Sequence, residues 1–386
     1  MSNIVMKKLF YIIATMSLLM VSCRGNMEPE NEGQTGDEVN TEKLEGPITI
    51  SADRDVIKAD GTYAAKLTVM LMDNRGIQHV VTSDVEIYCE GNDTPIAQSD
   101  FKTTEEGEYV FYALRGFDIS NQVTVKAVNG VPALPADPAS ESVDFRHRLL
   151  LVQHTGNKCP NCPKLMNILK RIGDDEEYSP LYHHVASHSY NEDDVAYSSS
   201  AQTLSKVKNV LAFYPMLSYN LMENSSNEDL LALEMQEETI RRHIKELHKD
   251  AASVGISASA AHVGNSIYAN ISLKSAETSK YRVAVWVLED NIHSTQSGAD
   301  ASWQNIHDNC LRLMYGNSKN ECIYGKSLGV VEAGQTKELI AAIDVEDNWI
   351  VENCEIVVLA VAAEGEYELL NCTVCDVDSS APYDYL

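Results

Sequence analysis

The stretch "LLLVQHTGNKCPNCPKLMNILKRIG", residues 149–173, decides how the chain is read. Leu149 to His154 is a short apolar run, the pattern of a strand covered on both faces. Thr155-Gly156 opens a tight loop, and Cys159-Pro160-Asn161-Cys162 follows. Pro163 suits a first helical turn, where its missing N–H costs nothing. Leu165, Ile168, Leu169 and Ile172 then recur at helical spacing, and Gly173 is the expected stop. A strand, a loop and Cys-x-x-Cys at a helix start set Cys159 at the positive end of the helix dipole, which favours thiolate. Lys158 and Lys164 add positive charge nearby. The two cysteines are expected to form a disulfide in either case. A catalytic pair requires Cys159 to be exposed, with Cys162, one turn in, resolving a mixed disulfide; a structural pair leaves Cys159 buried or permanently oxidised. Thiolate stabilisation puts the couple's potential above about −300 mV.

Working outward, "LYHHVAS" reads as a second strand and "AYSSSAQTLSKVKNVLAF" as a second helix with Leu204, Val207 and Leu211 inward. "PMLSYNLM" reads as a third strand. A third helix starts with Ser226 and Asp229 at capping-box spacing and carries Leu233, Ile240, Ile244 and Leu247 on one stripe. Residues 143–250 are therefore read as an α/β unit. Residues 47–142 hold strand-length runs between turn signals, the mark of an all-β sandwich, and end in a Pro/Ala-rich linker, 129–140. Residues 251–386 are β again. One hairpin turns at Gly264-Asn265, residues 291–326 are irregular, and a second hairpin about Glu364-Gly365 sets Cys354 opposite Cys375 as a candidate disulfide.

The N-terminus sets the compartment. Residues 1–22 carry Lys7 and Lys8 before an apolar run too short to span a bilayer, the pattern of an export signal. The run ends in "LMVSC", which resembles the bacterial lipobox and implies lipid on Cys23. Residues 23–46 are acidic, poor in large apolar groups, and read as a flexible tether. The chain has 30 basic and 57 acidic residues, a net charge of −27, which disfavours nucleic acid as a partner. Its nine cysteines suit an oxidising compartment. Cys89 reads as a buried small residue.

The strand–helix order around Cys159-Pro160-Asn161-Cys162 resembles the thioredoxin fold. That resemblance implies that Pro215, in Tyr214-Pro215, is a cis-proline beside the cysteine pair. "KLTVMLMDNRG", "TTEEGEYVFYA" and "NQVTVKAV" resemble bacterial immunoglobulin-like modules. "LLLVQHTGNKCPNCPKL", "FYPMLSYN", "HDNCLRLMYG" and "NCEIVVLAVAAEGEYELLNCTVC" together resemble Bacteroidetes outer-membrane lipoproteins related to the twenty-eight-kilodalton outer-membrane protein. Members pair a thioredoxin-like domain with a C-terminal β domain. The expected architecture is multidomain: an immunoglobulin-like β-sandwich, a thioredoxin-like α/β domain and a C-terminal β-sandwich-like domain.

Two functions compete. The first is a cell-envelope binding or adhesion lipoprotein, facing the surface or the periplasm, in which Cys159–Cys162 is structural. The second is a membrane-tethered thiol–disulfide oxidoreductase with Cys159, Cys162 and Pro215 as catalytic residues. The expected partners are the membrane, through Cys23, and surface ligands or protein thiols and disulfides. No cofactor is expected. No metal is expected either: the Cys372/Cys375 pair is far from Cys159/Cys162 in sequence, and His184 and His188 fall on a strand. Trp286, Trp303 and Trp349 read as buried aromatics, and His154 as a local polar contact.

Overall fold

The computed structural model describes residues 45–207, 214–221 and 236–386. The proposed signal, Cys23 and most of the tether lie outside the described residues, as do Leu211, Leu233 and the Ser226/Asp229 capping pair.

The first unit runs through β1 (Ile48–Ala52), β2 (Val56–Lys58), β3 (Ala65–Met72), β4 (Gln78–Val80), β5 (Glu86–Cys89), β6 (Asp100–Phe101), β7 (Gly107–Arg115), β8 (Asp118–Ile119) and β9 (Val123–Val128). Strands β1, β3, β4 and β6 form one sheet; β2, β9, β7, β5 and β8 form another. The period-two pattern explains why they stack. Ala65, Leu67, Val69 and Leu71 of β3 are buried, and they meet Phe111, Ala113, Val125 and Ala127 of the facing sheet. Cys89 is buried in this core and is a free thiol.

The proline-rich segment 129–140, expected as a free linker, is laid across the C-terminal strands. Asn270 Nδ2 donates to the Pro132 carbonyl at 2.9 Å, Ser259 Oγ to the Ala133 carbonyl at 2.9 Å, and Lys274 Nζ to Asp137 at 3.0 Å. A segment rich in proline has few N–H groups, so side-chain donors from the neighbouring sheet take up its carbonyls.

Next come β10 (Leu149–Thr155), α1 (Cys162–Gly173), β11 (Tyr182–His188), α2 (Ser199–Leu204), β12 (Met216–Tyr219) and α3 (Gln236–Leu247). Strand β10 pairs parallel with β11 and antiparallel with β12. Its two faces are both covered, as its apolar run requires. Leu149 and Leu151 pack with Leu165, Ile168, Leu169 and Ile172 of α1 and with Ile240 and Ile244 of α3. Leu150 and Val152 pack with Ala201 and Leu204 of α2 on the other side. Gly173 is the last helical residue rather than a left-handed stop, and Asp174 caps the helix.

The remaining strands are β13 (Val254–Val263), β14 (Ser266–Ser275), β15 (Ser279–Glu289), β16 (Ile292–His293), β17 (Ile306–His307) and β18 (Cys310–Met314). After α4 (Lys319–Tyr324) come β19 (Lys326–Val331), β20 (Thr336–Asp344), β21 (Cys354–Ala362), β22 (Leu369–Asp376) and β23 (Ser379–Ala381). The β13–β14 hairpin turns at Gly264-Asn265, with Val263 opposite Ser266.

Strands from both sides of residue 250 share one eight-stranded sheet, in the order β12-β10-β11-β18-β15-β21-β22, with β19 beside β15. The join is β18, inside the stretch expected to be irregular. It pairs parallel with β11 at Ala186–Cys310 and antiparallel with β15. One face of this sheet stacks on the four-stranded sheet β20-β14-β13-β23 through Val283, Val285, Val287, Ile356 and Val358. The other buries Ala284, Trp286, Leu288, Val357 and Leu359 with α2.

The expected Cys354–Cys375 disulfide is not formed. Cys375 pairs with Ile356, while the Val377 N–H donates to the Cys354 carbonyl at 3.0 Å. Val361 faces Leu369, so the turn is one residue longer than expected, and the irregularity between Ala360 and Val361 displaces the register by one more. Both thiols are free and buried, and burial pushes them up, Cys354 to about 12 and Cys375 to about 11.

Candidate functional site

The loop between β10 and α1 carries the chemistry. Cys159 and Cys162 are joined in a disulfide with Cα atoms 5.4 Å apart. α1 begins at Cys162 behind Pro163, as the sequence implies. The Tyr214–Pro215 peptide is cis. Met216, the next residue, pairs with His154 near the end of β10, so Pro215 and the Cys159–Cys162 loop stand at the same end of the sheet. Pro215 is buried, and the Tyr214 hydroxyl meets Ser189 Oγ at 2.9 Å.

The exposure of Cys159 that a catalytic pair requires is not found: Cys159 is 1% exposed and Cys162 0%. Segment 294–304 covers the pair. Gln296 Nε2 donates to the Cys159 carbonyl at 2.9 Å and to the Gly156 carbonyl at 3.3 Å. The Ser297 N–H donates to the Asn157 carbonyl at 2.7 Å, and Asn157 Nδ2 donates to Ser294 Oγ at 2.8 Å. Gln304 Nε2 donates to the Pro163 carbonyl and to Asn167 Oδ1, both at 3.1 Å. Gly298 adopts φ +74°, and a Cβ there would strike the Pro160 carbonyl. Glycine lets the cap close flat on the loop.

From below, Asp194 anchors the same loop. Its carboxylate accepts from the Asn157 N–H at 2.7 Å and the Ala196 N–H at 3.0 Å, and it pairs with His188 Nδ1 at 2.8 Å. Burial pushes its carboxyl up, but His188 and the two N–H donors outweigh that and hold it below the usual range. Lys158, expected to favour a Cys159 thiolate, is instead paired with the Asp193 carboxylate at the surface. Lys164 is exposed on α1. His154 Nε2 meets Ser218 Oγ at 3.1 Å in the core, and burial holds its imidazole down at about 4.

Sequence reading missed Gln296, Gln304 and Asp194. Side-chain amides that substitute for backbone partners follow no period, and the segment holding the two glutamines has none. His184 and His188 do share a strand face, but among the described residues no group of three or more His, Cys, Asp or Glu is placed to hold a metal. Trp286 is fully buried and Trp349 nearly so; Trp303 is half-buried. Among the described residues no helix is long and apolar enough to cross a membrane.

No family model matches the chain, and no curated protein matches it. Among solved structures, HBP35 of Porphyromonas gingivalis is similar with a TM-score of 0.49 and 15% identity, over 62% of this chain and 78% of that one. Domains 4–9 of surface layer protein SbsC align with a TM-score of 0.18 and 9% identity, over 87% of this chain and 52% of that one. Likenesses this distant carry no statement of activity.

Proposed function

We propose that the chain is a cell-envelope lipoprotein of binding or adhesion type, in which Cys159–Cys162 is a structural staple. The observation that supports this most is the burial of the disulfide beneath segment 294–304. A disulfide that exchanges with protein substrates has to present a sulfur to an incoming thiolate. Here both sulfurs belong to residues with almost no exposure, and the covering segment is bonded to four residues of the loop and helix start: Gly156, Asn157, Cys159 and Pro163.

In this reading residues 47–142 are an immunoglobulin-like spacer, residues 143–250 a thioredoxin-like unit and residues 251–386 a β-rich extension. The β10-α1-β11 order, the antiparallel β12 and the cis Tyr214–Pro215 bond support the thioredoxin-like assignment. The short apolar run ending in Val21-Ser22-Cys23 supports export and lipidation. Membrane attachment then runs through Cys23, and Cys23→Ser should release the protein from membranes and abolish fatty-acid labelling.

A second reading, a tethered oxidoreductase, is favoured by the cysteine pair at a helix start with Pro215 at the same end of the sheet. It requires the cap to lift. Insulin reduction with a thiol donor separates the two: the staple gives turnover no faster than Cys159→Ser/Cys162→Ser, whereas the oxidoreductase loses its turnover in that variant.

A further inference from the structure

Helix α1 leaves part of the sheet uncovered. Between α1, β11 and residues 303–309 lies a cleft of about 550 Å³. Its walls are mixed: Met166, Leu169 and Trp303 give apolar surface, and Lys170, whose ammonium stands 5.9 Å from the Trp303 ring, and Asp308 line it beside them. Its floor is polar. Gln153 and Thr155, at the end of β10, are each 3% exposed, yet Gln153 Nε2 and Thr155 Oγ1 have no hydrogen-bond partner. His184 Nε2, on β11, is likewise buried and unpartnered.

Leaving a buried donor unpaired is costly, and native interiors keep few such groups. Three on one floor are a feature to be explained. Asn309 Nδ2, which can only donate, faces His184 Nδ1 at 3.5 Å, which leaves the ring proton on Nε2. Burial keeps this imidazole neutral, with its pKa held down at about 4. The floor thus offers three donors: an amide N–H, a hydroxyl and an imidazole N–H. The volume falls in the range of about 300–1,000 Å³ usual for small-molecule sites, and it exceeds what one or two ordered waters fill.

We propose that this cleft binds a small aromatic molecule carrying acceptor oxygens. The ring lies between Leu169 and Trp303, and the oxygens accept from Gln153, Thr155 and His184. The site adds to the binding reading above but is distinct from the disulfide. A failure here leaves the redox tests of Cys159–Cys162 untouched.

The test is calorimetric titration of the full chain in detergent with 1-naphthoate, the same detergent in cell and syringe. The expected result is saturable binding at one site per chain. Thr155→Val and Gln153→Leu, which keep side-chain size, should each weaken it about tenfold or more, and Met166→Trp, which fills the cleft, should abolish it. Circular dichroism of each variant reports whether the fold is kept, and Thr155→Val, the smallest change, decides if another variant fails to fold. Absence of saturable binding, or binding unchanged in Thr155→Val, would overturn the proposal.

Discussion

The side-chain amide of Gln296 donates to the carbonyl of Cys159 at 2.9 Å, across 137 residues of chain. That bond closes the segment 294–304 over the disulfide, and it ties the strands after residue 250 to the loop where the cysteines sit.

Removing this amide should expose the pair. Gln296→Ala leaves the carbonyls of Cys159 and Gly156 short of a donor and is expected to destabilise the protein by about 1–3 kcal/mol. Reduction of Cys159–Cys162 by dithiothreitol, followed by mass after alkylation, should become faster than in the wild type. Gly298→Val should do the same, since it combines a positive φ with a collision at the Pro160 carbonyl. Unchanged reduction rates in both variants would show that the segment does not control access.

Buried histidines set the acid limit of stability. Burial holds His147, His154, His184 and His307 down at about 4 and His183 at about 3, with nearby Arg148 adding to the effect at His183. Their unfolded value is about 6.5. The unfolded chain therefore takes up protons first as pH falls. The stability these groups contribute is complete above about pH 6.5 and is lost as pH falls toward about 4. Urea midpoints should drop steeply across that window, and a flat profile would contradict it.

Glu355 acts in the opposite direction. Burial, then the carboxylates of Asp290, Asp376 and Asp308, push its carboxyl up to about 8. The folded state keeps this proton after the unfolded chain has lost it near about pH 4.3, so its contribution declines as pH rises toward about 8. Between about pH 4.3 and 6.5 the five histidines outweigh it; above that range its slope stands against theirs no longer. A stability maximum near about pH 6.5 is expected. Glu355→Gln should stay more stable than the wild type at pH values above about 8, and equal urea midpoints there would count against the assignment.

Two neighbouring strands of the eight-stranded sheet share a buried ion pair. Arg312 of β18 lies 2.7 Å from Glu289 of β15, with the two side chains 4% and 3% exposed. Arg312 also donates to the Val195 and Asn348 carbonyls. Arg312→Met strands a buried carboxylate and should cost about 3–5 kcal/mol by chemical unfolding. Adding Glu289→Leu should restore much of that loss, and a double variant no better than the single one would argue against a coupled pair.

What could be read from the sequence follows from where each signal is local. The alternation in β3, the two-faced apolar run of β10 and the helical stripe of α1 are set by burial along a few consecutive residues, and each is found where the pattern puts it. β18 was hidden because Cys310–Met314 is short and carries the buried Arg312, so it reads as neither alternating nor apolar. The Cys354/Cys375 register failed by two residues, one from a longer turn and one from a strand irregularity that no turn residue announces. The cysteine pair and Pro215 could be named in advance, but not the cap: Gln296 and Gln304 act through single amide groups whose partners lie more than a hundred residues away.

The reduction potential of Cys159–Cys162 in the full chain bears most directly on the proposed structural role. Equilibration in dithiothreitol buffers of graded ratio, acid quenching, alkylation and mass analysis of the 159–162 peptide would give it. A capped structural disulfide predicts a value below about −300 mV, with no alkylation of Cys159 in the unreduced protein. A value near about −270 mV or higher, in the range of working thioredoxin-like couples, would contradict the account and favour the oxidoreductase.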